Sequence, residues 1–597
     1  MLSDYTTSAS SDPFHKHSRR RRASVAILLI ALVLGTIGAS FFRTQILHNA
    51  DFVLRSQDNR LRVIPLPAPR GTVYDRNGEI IAETVTGYRL LLQPASVDSL
   101  RMWLEQVAVP LQLDSAQIAG IVAEFSRAPT RPVRVAKTLT FEEISWIEEH
   151  RTEFTGILLQ PHPVRRYPGG EAVAHLIGHV AEISERELAD SAWSDYQLGQ
   201  QIGKAGLERQ YEGHLGGTMG ERYVEVDARG RTVGPVAQEV IISPTPGKDL
   251  HLTIDLELQR FARSIFPAEM RGAIVALTPT TGEVLALYSH PTFDPNVLGD
   301  GMSLPAWKAL NSDPEKPLLP RARAGIYAPG STWKLATAII GLEMGVVTPE
   351  SRMPIACTGG LTYAGRYSRC WKSEGHGSLD LGGAIAHSCN VYFYQLGIRL
   401  GLNQLAQEGV RLGFNRSTGI DLPSESSGFF PEDADAYEER FGWKPTPSEV
   451  MSLAIGQGPN AQTPLRMAQF YSALAGDGTA RVPHLRAGIQ TPVETDLRVS
   501  PATLEALRAG LAAVTEPGGT AFSSSLERWK LYGKTGTAEN SADGDRPHAW
   551  FTGFAGPPGA DPEIVVAVLV EFGEHGSSAA APIAAKIAEF YLDKTHE

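Results

Sequence analysis

Cysteine is almost missing from this sequence. Three of its 597 residues are Cys, all between positions 357 and 389. That excludes a fold stapled throughout by disulfides. A basic surplus is missing too. Lys and Arg number 55 against 66 Asp and Glu, a net charge of −11, which argues against a nucleic-acid binder because no basic face is available for phosphates. Long apolar runs are scarce. Only ASVAILLIALVLGTIGASFF, residues 23–42, is charge-free over a length that crosses roughly 30 Å of hydrocarbon as a helix. The run IVVAVLV at 564–570 is far shorter and reads as a buried strand. There is no internal repeat, and no low-complexity tract beyond the polar first 18 residues.

What is present is a globular composition, 42% hydrophobic and 20% charged, in a chain long enough for three to five structural units. The basic residues that stand out, Lys16 and Arg19 to Arg22, directly precede the apolar run. That order keeps residues 1–22 in the cytoplasm and sends the rest across the membrane. A cleaved signal peptide is the alternative, but its apolar core is usually about 7–15 residues. Residues 23–42 therefore read as a retained single-pass anchor in the cytoplasmic (inner) membrane.

The exported part divides at SPTPGKD, residues 243–249, a Pro/Gly-rich break. Before it, a strand pattern starts at Arg70-Gly71. Asp75-Arg76-Asn77-Gly78 signals a tight hairpin, and residues 80–92 are β-rich. Helical patterns follow at 140–150 and 171–180. After the break, residues 272–290 read as two strands joined at Thr280-Thr281-Gly282. The rest mixes apolar helices with a few strands and ends in a helix from Pro582.

Chemistry concentrates in this second half. In RAGIYAPGSTWKLATAII, residues 323–340, turn formers run directly into an apolar helical pattern. Ser331 stands at the joint, where free N–H groups and the positive helix end face its hydroxyl. Lys334 lies three residues on, on the same helical face. A serine hydroxyl needs a nearby base, and a buried lysine with a lowered pKa can supply one. Alone, Ser-x-x-Lys is a weak signal, since it also describes a helix cap followed by a solvated lysine. Two further groups strengthen it: Ser388-Cys389-Asn390 after a helical pattern, and Lys534-Thr535-Gly536-Thr537 on a strand-like run. Ser-x-x-Lys, Ser-x-Asn and Lys-Thr-Gly in this order are the combination found in penicillin-binding proteins and serine β-lactamases.

The chain resembles a class B penicillin-binding protein, a membrane-anchored peptidoglycan D,D-transpeptidase, of the elongation type. RGTVYDRNG, RRYPGGEAVAHLIGHV and GKAGLERQYEGHLGG resemble its non-catalytic half; CWKSEGHG, AIGQGPNAQTPLRMA and HAWFTGFAG resemble its transpeptidase segments. Asn390 stands where many elongation-type members carry Asp. The resemblance implies a mixed α/β architecture: one transmembrane helix, an elongated α+β pedestal over 43–245 with an inserted head subdomain, and over 246–597 an antiparallel sheet flanked by helices, as in serine β-lactamases.

The resemblance also implies roles. Ser331 attacks the penultimate D-alanine carbonyl of a pentapeptide stem and Lys334 takes its proton. Ser388, helped by Lys534, passes a proton to the leaving amine, and Asn390 holds the lysine or the substrate amide. Thr535, Gly536 and Thr537 with Lys534 bind the substrate's terminal carboxylate, and the N–H groups of Ser331 and Thr537 form the oxyanion hole. No organic cofactor is implied. β-Lactams are expected inhibitors, and the expected partner is RodA, the membrane glycosyltransferase of the elongation machinery. A division-type transpeptidase, a serine β-lactamase, and an inactive scaffold or β-lactam sensor are the alternatives. The first lacks the pedestal segments, the second is smaller and deacylates, a scaffold should have lost a motif, and a sensor usually has several spans.

Cys357, Cys370 and Cys389 cluster with His376 between the last two. Three Cys and one His complete a tetrahedral zinc shell, here one that would brace the Ser-x-Asn loop. A Cys357–Cys370 disulfide, leaving Cys389 unpaired, and three free thiols are the rivals. The other histidines, such as His548, read as packing or hydrogen-bonding residues.

Overall fold

The uncharged run forms the greater part of one helix, α1 (Pro13–Phe42), in the computed structural model, which describes residues 13–43, 61–92, 94, 96–127, 133–135, 138–153, 157–226, 232–235, 241–299, 302, 304–539 and 546–597. The first 12 residues of the expected cytoplasmic tail lie outside the described residues. Over residues 23–42 Leu, Ile and Val occupy every side of the helix, so this stretch has no polar face to offer water. Its segment Arg21–Phe42, with mean hydropathy 2.5, is long and apolar enough to cross a membrane.

The chain divides into two compact units. One comprises residues 1–66, 124–132 and 219–244. In it, strand Leu61–Leu66 pairs antiparallel with Gly220–Val226, which also pairs with Ile241–Ile242 and Thr232–Pro235. The other unit holds residues 67–123, 133–218 and 245–597.

The second unit opens with β1 (Val73–Tyr74), two residues later than the strand pattern expected at Arg70-Gly71. The hairpin turn forms as read: Gly78 has φ +88°, and Asp75 Oδ1 accepts the N–H groups of Asn77 and Glu79 at 2.8 and 2.7 Å. Then β2 (Ile80–Leu92) pairs antiparallel with β3 (Val133–Val135) and, from Glu83 to Leu92, with β4 (Ile157–Arg166). Helix Phe141–Glu149 is closed by a capping box between Thr140 and Glu143. The helical pattern at 171–180 survives only as the short pieces Gly170–Ala172 and Ala174–Ile177. It breaks at Gly178 (φ +73°), where a Cβ would stand 2.0 Å from the carbonyl oxygen of Ala205.

Three segments that are distant in sequence meet in one buried ion cluster. Arg70 Nη2 lies 2.8 Å from Glu208 and 2.9 Å from Glu212, and Arg165 Nε lies 2.6 Å from Glu208. Burial alone would raise the Glu208 carboxyl, but Arg70 and Arg165 overcome it and hold the group below its ordinary range. Removing one partner of such a pair leaves uncompensated buried charge. Glu208→Gln should therefore destabilise this unit by about 3–5 kcal/mol. The check is thermal unfolding; a melting temperature unchanged from wild type would contradict it.

The C-terminal part is organised around one antiparallel sheet. Its strands are β5 (Arg271–Leu277), β6 (Val284–His290), β7 (Lys530–Ala538), β8 (His548–Gly556) and β9 (Ile564–Glu571), in the order β6-β5-β9-β8-β7. Between β6 and β7 come α2 (Lys334–Glu343), α3 (Leu381–Ala386), α4 (Asn390–Leu400) and α5 (Pro464–Ala475); α6 (Ala581–His596) ends the chain. Every residue of β9 is buried, with α5 and α6 both packed against it. That explains an apolar run without alternation. The core is continuous: Val73, Ile81, Tyr167 and Leu207 belong to the same apolar cluster as Trp333 and Val568.

Candidate active site

Pro329-Gly330 makes the turn that the sequence suggests. Gly330 has φ +53°, and a Cβ on it would come within 2.9 Å of Thr537 O, so only glycine lets the turn lie against β7. Ser331 is not in the α-helix proper. It belongs to a 3₁₀ turn, Gly330–Trp333, and α2 begins at Lys334. A three-residue repeat eclipses positions i and i+3, so Ser331 and Lys334 still share a face.

Lys334 is fully buried. Its Nζ donates to Ser388 O at 2.8 Å, Ser388 Oγ at 3.2 Å and Asn390 Oδ1 at 2.7 Å. No hydrogen bond joins it to Ser331 Oγ; catalytic contacts often tighten only once substrate is bound. Burial lowers the Lys334 pKa to about 8, against a smaller upward pull from Cys370 and Cys389. Ser388 has φ +53°, a left-handed conformation that costs a non-glycine residue on the order of 1–3 kcal/mol. Cys389 then caps α4, and Asn390 opens it.

Lys534, also fully buried, faces the same centre from β7. Burial first, and then the charge of Lys334, push its pKa well below the ordinary lysine value. Thr535 Oγ1 lies 2.9 Å from Thr520 Oγ1, while Thr537 is exposed. Gly536 has no room for a side chain: a Cβ would meet Trp550 Cβ at 2.9 Å and Pro329 O at 3.0 Å.

Residues that the sequence reading did not single out hold the turn before Ser331. Tyr327 OH donates to Glu571 Oε1 at 2.7 Å, and Arg321 and Arg271 anchor the same carboxylate at 2.7 and 2.9 Å. Trp550 Nε1 donates to Ala328 O at 3.0 Å, and Gly330 N–H to Gly456 O at 2.9 Å. Gln457 Nε2 reaches Thr537 O at 3.3 Å. His548 packs edge-on against Tyr327 and accepts the Phe572 N–H, as a packing histidine should. No local signal marks Thr520 or Glu571; each is brought in by the sheet and the loops at its end.

Cys357, Cys370, His376 and Cys389 converge beside this centre, their ligand atoms all within 4.8 Å of one another. The hairpin Gly360–Tyr363 with Arg366–Arg369 returns Cys370 to Gly359, and Cys357 exchanges backbone hydrogen bonds with Gly377. All three cysteines are free, so the Cys357–Cys370 disulfide entertained from the sequence is not formed. His376 Nδ1 stands 3.6 Å from Cys357 Sγ and 3.5 Å from Cys370 Sγ. Zn–S and Zn–N bonds of about 2.3 and 2.0–2.1 Å at tetrahedral angles give an S···N edge of about 3.6 Å. The donor set therefore fits zinc in kind, and the two His376–Cys edges fit it in spacing.

Comparison with known proteins agrees with this layout. Residues 272–589 match the penicillin binding protein transpeptidase domain, and residues 65–252 the penicillin-binding protein dimerisation domain. The peptidoglycan D,D-transpeptidase MrdA of Haemophilus influenzae is 32% identical over 607 residues, covering 96% of this chain and 92% of its own length. Among solved structures, penicillin-binding protein 2 of Helicobacter pylori in complex with MreC superposes with a TM-score of 0.78 at 27% identity, over 90% of this chain and 100% of that one. A chain of a peptidoglycan synthase complex that coordinates polymerization and crosslinking superposes with a TM-score of 0.70 at 31% identity, over 96% of this chain and 98% of that one. With a transpeptidase-domain match spanning more than half its length and a relative of this identity along nearly all of it, the chain belongs to the penicillin-binding proteins, among the peptidoglycan D,D-transpeptidases of the penicillin-binding protein 2 type.

Proposed function

We propose that this chain cross-links peptidoglycan stems through a Ser331 acyl-enzyme during cell elongation. The observation that carries the reading is that Lys334, buried three residues after Ser331, donates to both outer residues of Ser388-Cys389-Asn390. A pKa near 8 keeps a fraction of Lys334 neutral at physiological pH. In that form it accepts the Ser331 proton as Oγ bonds to the penultimate D-alanine carbonyl. The Ser331 and Thr537 N–H groups hold the oxyanion, each such donor worth about 2.7–4 kcal/mol. The bond to the terminal D-alanine breaks, and Ser388 passes the proton to that amine. An amine of a second stem then attacks the ester, and its proton returns to Ser331. Lys534 is costly to charge where it lies, and the substrate's terminal carboxylate, with Thr535 and Thr537, restores its ammonium. Supplied with glycan strands carrying pentapeptides, the purified chain should release D-alanine in step with cross-links. Cross-links without D-alanine release would refute the scheme.

The metal reading belongs to the same proposal. Cys357, Cys370, His376 and Cys389 hold one structural zinc that ties residues 357–376 to the loop carrying Ser388. Four protein ligands leave no open position, so the metal braces the loop and takes no part in the acyl transfer.

α1 anchors the chain in the cytoplasmic membrane with its N-terminus inside, on the basic-inside asymmetry of Lys16 and Arg19 to Arg22. Residues 43–245 act as the pedestal and 246–597 as the transpeptidase domain. The partner is the glycosyltransferase RodA; likeness to a chain of a polymerizing and crosslinking complex supports this, and likeness to a protein solved with MreC supports a second partner of that kind. Exchanging residues 23–42 for an unrelated transmembrane helix should abolish stimulation of glycan polymerisation while penicillin acylation persists. Undiminished stimulation would exclude α1 as the contact. Excising the pedestal would be a poorer test, because the apolar core runs through it.

A further inference from the structure

A second concavity lies beside the catalytic centre. Gly456, whose O accepts the Gly330 N–H at 2.9 Å, and Gln457, which reaches Thr537 O at 3.3 Å, directly precede its first wall residue on this segment, Gly458. Gly458, Pro459, Asn460 and Ala461 then line an open groove of about 400 Å³. Phe429, Phe441 and Trp443 form its apolar side; Arg440, Glu449 and Asn460 supply its polar groups. Gly458, on its wall, follows Gly456 by two residues, which places it within about 15 Å of Ser331 by chain geometry.

Several features of this cavity ask for a ligand. Asn460 is 1% exposed; its Oδ1 accepts from Gln462 Nε2 at 3.0 Å, yet its Nδ2 has no acceptor. A buried donor without a partner costs free energy until a ligand or water meets it. The Arg440 guanidinium lies 5.1 Å over the Phe429 ring and has no carboxylate partner among the described residues. Glu449 is neutralised by Arg366 at 2.9 Å, so the uncompensated charge at the cavity is positive. Phe441 and Trp443 remain 45% and 42% exposed, an aromatic surface without protein cover. The complement of these groups is a carboxylate joined to an aliphatic chain.

Resting on the transpeptidase reading above, we propose that this cavity is the subsite for the acceptor stem peptide, with a carboxylate of that stem on Arg440 and Asn460 and its methylenes against Phe429 and Trp443. The donor stem's terminal carboxylate goes to Lys534 and the β7 threonines, so the donor leaves the cavity free. The acceptor must place an amine at the acyl carbonyl on Ser331 while the rest of its stem is held elsewhere. Extended chain covers about 3.3–3.6 Å per residue, so a stem of three or four residues bridges the distance. Glu449 does not repel the incoming carboxylate, because its charge is already spent on Arg366.

The test uses the full-length protein, converted to its penicilloyl form and checked by mass. This form is titrated with a synthetic tripeptide stem that ends in a diamino acid with a free amine. Wild type binds it, and Arg440→Ala weakens binding by about tenfold or more, the scale of a charged hydrogen bond. Trp443→Ala also weakens it, Arg440→Lys recovers part of the loss, and both alanine variants melt at the wild-type temperature. Amidating the tripeptide's carboxylates reproduces the loss with wild-type protein. Equal affinity of wild type and Arg440→Ala overturns the proposal. Binding of a peptide-free disaccharide in preference to the tripeptide overturns it in favour of a glycan site. A wild-type chain that forms no penicilloyl adduct overturns the transpeptidase reading itself, and the subsite with it.

Discussion

Replacing Lys334 with methionine should slow penicillin acylation by about 100- to 10,000-fold, the range a positioned base contributes, and leave the melting temperature near its wild-type value. Two stability effects offset. Methionine strands Asn390 Oδ1 and the Ser388 acceptors, which Lys334 now satisfies, at about 1–3 kcal/mol for a lost buried partner. It also removes the desolvation cost of a fully buried ammonium, so the two terms oppose one another. The pH profile carries the same information. Burial brings the Lys334 pKa to about 8, so the neutral base is the minor form at pH 7 and the major form above pH 8. Wild-type acylation should rise with pH, about tenfold per unit well below that pKa, and flatten above it. A methionine variant that acylates at the wild-type rate would place the base elsewhere.

Loss of the proposed zinc should be nearly as damaging. The chain, purified without chelator, should carry about one zinc per molecule, with its three thiols titratable only after denaturation. Cys389→Ser should lose the zinc, lower the melting temperature and slow acylation together, since Cys389 stands between Ser388 and Asn390 and the metal would hold that loop. The change should be large, because structural zinc binding reaches about 10–16 kcal/mol in small zinc domains. Elemental analysis, thiol titration and calorimetry on the same sample check it. Zinc retained in Cys389→Ser would put the metal elsewhere; a zinc-free wild type with three free thiols would remove it from the account.

Local pattern made part of this molecule readable. The β-rich stretch at 80–92 is β2 over those same residues, and the run at 564–570 is β9. The two strands around Thr280-Thr281-Gly282, the C-terminal helix and the apolar helix α1 likewise follow from periodicity, length and turn residues. The pattern at 171–180 misled because it ignored a neighbour: Gly178 must pass within contact of the Ala205 carbonyl, and the helix cannot continue there. The 3₁₀ turn at Ser331 was unreadable for a similar reason, since it depends on Gly330 lying against Thr537. At the candidate site, motif spacing named Lys334, Ser388, Asn390 and Lys534. It could not supply the support behind them. Glu571 is separated from Tyr327 by 244 residues, and Glu208 from Arg70 by 138, so their hydrogen bonds exist only once the sheet and the core have formed. The cysteine cluster lay between these extremes: the three cysteines are close in sequence, but their convergence with His376 depends on the hairpin at 360–369.

Intact mass spectrometry of wild type and Ser331→Ala after exposure to a penicillin reads the nucleophile itself. The proposed Ser331 nucleophile, beside the buried Lys334, predicts one slowly hydrolysed penicilloyl adduct per wild-type chain. Peptide mapping should place it on Ser331, and the alanine variant should carry none. An unchanged wild-type mass, or an adduct that persists in Ser331→Ala, would contradict the account.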